Sequence, residues 1–210
     1  MPPLRRCLEI VHAAAAALWF GVAVATAAAA AIIFPTVRDL DPTLATYPDY
    51  TGEHWRLAAG HIAAKLFAFG DVVGFICLML AGFSLTIIAA TRHAWASAPK
   101  VTFARLASLG TAVLAAGYNL FILGPRMNGN LQDYWAAAAA GNNAEALTAQ
   151  QAFMADHAPA SNTLAAIAIA ALALVVTSAL ALTASPAKAT KPAPAKPTSP
   201  LETPELATKR

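Results

Sequence analysis

The sequence predicts an all-α membrane protein, a four-transmembrane-helix bundle with a disordered C-terminal tail, and three observations carry that prediction. The 210 residues are 58% hydrophobic and only 12% charged, with a mean hydropathy of +0.55, far more apolar than a soluble domain. Four runs reach the roughly 20 apolar residues that a helix needs to cross a hydrocarbon core about 30 Å thick: Ile10 to Phe34, Leu66 to Ala90, Phe103 to Leu123 and Thr163 to Thr183. The charges between these runs are sorted by sign. Arg5 and Arg6 precede the first run, Arg92, Lys100 and Arg105 surround the link between the second and third, and Lys188, Lys191 and Lys196 follow the fourth. Acidic residues gather in the other two links, at Asp39, Asp41, Asp49 and Glu53, then Asp133, Glu145 and Asp156. The positive-inside rule then puts both termini in the cytoplasm of a plasma (inner) membrane protein.

Span one follows Arg5 and Arg6 and contains the small-residue stretch "VATAAAAA", which together resemble a secretory signal. Its apolar run continues to "AIIF", longer than the roughly 7–15 residues of a signal's apolar region, so a retained helix is expected. Pro35 is expected to end it, because proline removes a ladder hydrogen bond. The link "PTVRDLDPTLATYPDYTGEHW" has the prolines, aspartates and aromatics of an ordered interfacial loop. Span three is expected to close at the Gly124-Pro125 breaker. The link from Gly124 to Asn162 is long enough for short helices: "LQDYWAAAAAG" stops at Gly141, and Asn142 with Glu145 forms a capping-box-like start for a second, surface-lying helix. From residue 185 onward the Pro, Ala, Lys and Thr composition has no apolar periodicity, so 1–184 is the transmembrane domain and 185–210 a disordered cytoplasmic tail. Cys7 and Cys77 lie too far apart in the topology to suggest a disulfide framework.

Small residues line the spans, among them Gly70 and Gly74 in "GDVVG", a pattern that lets helix backbones approach closely in lipid. Against this apolar background the polar residues stand out. His61 and Lys65 sit at the outer boundary of span two, where a lysine can snorkel. Asp71 lies six residues further, about 9 Å deeper along the axis, and shares a face with Ala64, Ala68, Gly74 and Phe75. An aspartate there needs a partner, and Lys65, Arg38 and Arg126 are the candidates. Asn119, more than a turn before Gly124, also needs one. Arg38, His61, Asp71, Asn119, Arg126, His157 and Asn162 are therefore expected to form a polar cluster at the outer mouth. His61, Met154 and His157 offer imidazole and thioether groups suited to copper, and the two histidines at matched depth suit haem. Glu9 and His12 read as an inner-rim pair, His54 and His93 as solvated loop residues. No nucleophile-base arrangement, phosphate loop or CxxC appears, so an enzyme is the least supported class. A net charge of +3 spread over these rims is no nucleic-acid signature.

The order "IVHAAAAALWFGVAVATAAAAAIIFPTV", "GHIAAKLFAFGDVVG", "YNLFILGPRM" and "FMADHAPASN" resembles the transmembrane-protein-205-like family, four-helix membrane proteins of unknown function, over about Leu8 to Thr183. Matched position by position, the resemblance marks His12, Trp19, Gly21, Pro35, Asn119, Pro125, Arg126, His157 and Asn162. The span-two stretch "LFAFGD" departs from the aromatic-rich start usual in the family. The resemblance implies a small integral membrane protein, with an animal relative linked to resistance to platinum drugs, and implies no settled mechanism. Three readings follow: a membrane protein that passes or binds a small solute or metal ion at the outer cluster, a haem- or copper-binding redox protein, and a scaffold or accessory subunit. The partners expected are the lipid bilayer and, for the scaffold reading, a second copy or another membrane protein.

Overall fold

Residues 3–183 are described in a computed structural model, and they form seven α-helices joined by short links. The expected tail lies outside the described residues. Helix α1 (Pro3–Leu40) and α2 (His54–Ala89) are the first two spans. After the short α3 (Arg92–Ser97), α4 (Pro99–Tyr118) runs through one π-helical turn (Asn119–Leu123) into α5 (Gly124–Ala139). The last pair is α6 (Asn143–Ala155) and α7 (His157–Thr183). Among the described residues, four helices are long and apolar enough to cross a membrane, which makes this a multi-pass membrane protein.

Two proline stops expected from the sequence are not stops. Pro35 lies inside α1, which continues to Leu40 and ends where Asp41 turns to a φ of 42° just before Pro42. Aspartate tolerates the left-handed region better than most residues, and Pro42 disfavours a helical conformation at the residue before it. Pro125 sits in the first turn of α5, where the π-helical turn before it has already rearranged the backbone pairing. The helix from Pro99 to Ala139 is thus 41 residues long. At 1.5 Å per residue it extends about 60 Å, roughly twice the thickness of a hydrocarbon core. Half of it must stand outside the membrane.

What stands outside is a small helical cap. Helix α5 ends at Gly141, whose φ of 70° suits only glycine here because a Cβ would also meet that of Asp49 at 2.9 Å. Asn142 then caps α6, accepting from the Glu145 backbone N–H, while its own amide donates to the Glu145 carboxylate at 2.7 Å. The returning helix packs on α5, and Tyr47, Tyr50, Leu57, Leu131, Tyr134 and Ala146 form their shared core with the α1–α2 link. The link is clasped by His54, which belongs to α2 and is no free loop residue. Its Nδ1 accepts from the Leu44 N–H at 3.1 Å, and its Nε2 donates to the Tyr50 carbonyl at 3.0 Å. His93 likewise falls in a helix, α3.

Inside the membrane the usual size order is reversed. Phe83, Phe103, Leu114 and Phe121 point outward, while the buried interior holds Ala15, Ala16, Ala23, Ala81, Ala112, Ala170 and Ala171. Lipid gives no hydrophobic drive for helix association, so close approach over small residues takes its place. The "GDVVG" seam is one such approach: a Cβ on Gly70 would lie 3.0 Å from Thr26 Oγ1, and one on Gly74 3.1 Å from Trp19 Nε1. Helix α1 packs closely on α2 and α7, and α4 on α7, while α2 and α4 touch only lightly. The ring order is therefore α1, α2, α4, α7, with α1 and α4 on a diagonal.

That diagonal is bridged at the end bearing the first turn of α1. Arg105 of α4 donates to Glu9 of α1 at 2.7 Å, and both side chains are at most 3% exposed. His12, wholly buried, donates through Nδ1 to the Ala81 carbonyl of α2 at 2.9 Å. The expected inner-rim pair is thus an interior tie among three helices. Replacing Arg105 by Ala removes the hydrogen-bonded partner of the buried Glu9 carboxylate and is expected to destabilise the bundle by about 3 kcal/mol. The readout is a lower unfolding midpoint in detergent, with exposed Arg38→Ala as the unchanged control; equal midpoints would refute the tie.

Candidate functional site

The two glycines that bring α1 against α2 also decide where Asp71 goes. Gly70 and Gly74 are occupied by Thr26 and Trp19, so the residue between them is turned toward the weak edge of the ring, where α2 faces α4. There Asn119 Nδ2 donates to Asp71 Oδ1 at 3.3 Å. This is a long bond, and among the described residues Asp71 has no cationic partner within 4 Å. None of the three charged candidates reaches it. Arg38 lies beside Asp39 at 3.7 Å on an exposed turn, Lys65 joins no ion pair, and Arg126 binds elsewhere.

Behind this bond is a cavity of about 80 Å³ to which all four spans contribute. Trp19, Ala23 and Thr26 come from α1, Phe67, Gly70, Asp71 and Gly74 from α2, Ala116 and Asn119 from span three, and Leu164 and Ile167 from α7. The lining is mostly apolar, with Asp71, Asn119, Thr26 and the Trp19 indole as its polar groups. Phe75 and Leu120, each about half exposed, mark its mouth between α2 and α4. An apolar hollow with a few convergent polar groups is the general form of a small-molecule site. The exposed rim here, Phe75 and Leu120, lies on the outer surface of two spans.

Asn119 holds its place because of the backbone beside it. It is the first residue of the π-helical turn, and its carbonyl accepts from the Gly124 N–H five residues on. Such turns occur mainly as single insertions in α-helices, often at functional sites. Gly124 is the only residue that fits: a Cβ there would sit 2.8 Å from the Asn119 carbonyl oxygen. Gly124 and Pro125, read as a breaker, are part of the device that presents Asn119.

The remaining residues of the expected cluster lie apart from Asp71, and Arg126 and His61 take partners of their own. Arg126 makes a two-point contact with Asp156, Nε to Oδ2 at 2.8 Å and Nη2 to Oδ1 at 2.5 Å, tying α5 to the junction of α6 and α7. The sequence reading omitted Asp156 from the cluster, although its place between two helices in "FMADHAP" marks it as a junction residue. His61 stacks on Trp135 with centroids 3.9 Å apart and accepts from the Tyr47 hydroxyl at 2.7 Å. Burial pushes that phenol above its ordinary range, so it remains a donor. His157 is exposed against the edge of Phe153, and Met154 and Asn162 are exposed. Among the described residues, no group of three or more His, Cys, Asp or Glu is disposed to hold a metal ion. Only Asp71 and Asn119 of the expected cluster bond to each other.

No protein-family model, curated protein or solved structure matches the chain. The geometry of Gly124 supplies the test of this site. Gly124→Ala pushes a methyl group into backbone rather than a movable side chain, and is expected to cost about 1–3 kcal/mol of stability, the usual range for overpacking. Gly129→Ala, where a Cβ meets nothing within 4 Å, should be neutral to slightly stabilising in the same thermal melt, since alanine favours a helix over glycine. Equal melts for the two variants would contradict the account of Asn119.

Proposed function

We propose that this chain is a non-enzymatic membrane protein that binds a small cationic, hydrogen-bond-donating solute at Asp71, admitted from the bilayer between α2 and α4. One observation carries the reading: a cavity lined by all four spans has its only carboxylate at its mouth, held by a single 3.3 Å bond from Asn119. A carboxylate at membrane depth is costly unless it is paired, protonated or wet. A primary ammonium supplies the missing charge and three donors, and its alkyl chain suits the apolar wall. Breaking one long hydrogen bond admits it.

The resemblance to the transmembrane-protein-205-like family supports the same place, since Trp19 and Asn119, two of the residues that carry it, line the cavity. Placement in a plasma membrane with cytoplasmic termini belongs to this proposal and is supported by Arg5, Arg6, Lys100 and Arg105 at the end that holds the start of α1. The solute then meets Asp71 from within the bilayer, without first crossing a charged rim.

The test uses n-butylammonium and full-length protein in uncharged detergent, with Trp fluorescence as the readout because Trp19 lines the cavity. Asp71→Asn keeps the shape and removes the charge. It is expected to weaken binding about tenfold or more, the loss of a charge-assisted contact. Saturable binding of equal affinity by both proteins, or none by either, would reject the proposal.

A further inference from the structure

The tie at the end of the bundle bearing the first turn of α1 is unbalanced. Glu9 faces two guanidinium groups: Arg105 at hydrogen-bond distance, and Arg5, one turn back on α1, with Nη2 at 3.8 Å from Oε1. One carboxylate cannot neutralise two cations. No other acid is at hand among the described residues, because none occurs from Val72 to Gln132 or from His157 to Thr183, and the other acidic residue of α1 is Asp39, at its far end. Thr102, buried near the start of α4, is committed to the carbonyls of Ala94 and Ala98.

The unanswered atoms tell the same story. Arg5 Nε and Nη1 and Arg105 Nε are buried donors with no hydrogen-bond partner, His12 Nε2 is a buried ring nitrogen without one, and Glu9 Oε1 has only the long contact to Arg5. Charged donors without partners are among the most costly groups to bury. The guanidinium fork matches the oxygens of phosphate, which it binds bidentately. Arg105 is fixed by Glu9, whereas Arg5 is partly exposed and held only at long range, so it can turn toward an arriving ion. His12 lies one turn inward on the same face of α1, and a water shared with the anion would serve its Nε2.

We propose that Arg5 and Arg105 together hold one phosphate-type oxyanion at this end of the bundle, either the phosphodiester of an anionic lipid or inorganic phosphate. The site is independent of the Asp71 cleft and stands or falls apart from it. Glu9 orients Arg105 and limits the site to a single negative ligand. The anion completes the tie that the chain's own residues leave with an excess positive charge.

The experiment is a thermal melt of delipidated, full-length protein in uncharged detergent, with two additions: inorganic phosphate against chloride at equal ionic strength, and phosphatidylglycerol against phosphatidylcholine. The expected result is a saturable rise in the midpoint on the order of 5 °C, absent in Arg5→Gln and kept in Arg38→Gln. Arg5→Gln is chosen because Arg105 variants are expected to unfold more readily in any medium. A rise with phosphate identifies the free ion, and a rise with phosphatidylglycerol alone identifies the lipid headgroup. No rise with either, or the same rise in Arg5→Gln, overturns the proposal.

Discussion

The bundle depends on a charge pair stretched across its diagonal. Glu9 and Arg105 join α1 and α4, two helices on a diagonal that share little direct packing, through a 2.7 Å bond sealed from solvent. In water the core of such a protein would be held by burying large side chains. In lipid that drive is missing, and the interior here is mostly alanine. Weak packing makes each directional contact count for more. His12 with Ala81 adds a third helix to the same knot, so α1 is tied by side-chain bonds to both α2 and α4.

The far end is fastened by different means. Helices that outrun the membrane fold back as α5 and α6, and their aromatic core with the α1–α2 link is the one part of the molecule built like a soluble domain. Arg126 and Asp156 bind this cap to the last span. With both ends held, the weak edge between α2 and α4 is confined to the middle, and that is where Asp71 and Asn119 meet. The lightly packed seam thereby lies beside a cavity to which every span contributes.

Much of this was legible in the sequence, and the failures have physical causes. Span number, approximate span positions, the glycine seam at Gly70 and Gly74, and the Asn142 cap follow from hydropathy, side-chain size and hydrogen-bonding chemistry acting locally. The stop expected at Gly124-Pro125 failed because the π-helical turn before it rearranges the backbone pairing, whereas α1 runs through Pro35 without a break as far as Leu40. Glu9 and His12 read as rim residues because the sequence places them near a span end. Their partners are distant, Arg105 for Glu9 at 96 residues and Ala81 for His12 at 69, and no local pattern encodes those distances. Asp71 was recognised as too deep to be a boundary residue, yet its partner is an amide rather than a cation. Depth along a helix is local arithmetic, whereas which neighbour faces a residue depends on the ring order.

The most direct test of this architecture is a pair of distance distributions from pulsed electron paramagnetic resonance in a lipid bilayer. One spin-label pair, at Val72 and Phe121, spans the α2–α4 seam; the other, at Ile10 and Phe103, spans the end tied by Glu9 and Arg105. All four positions are at least half exposed, and Cys7 and Cys77 are replaced beforehand. A fastened end with a confined weak seam requires that Asp71→Ala broaden the first distribution and leave the second narrow and unmoved. An unchanged first distribution, or equal broadening of both, would contradict it.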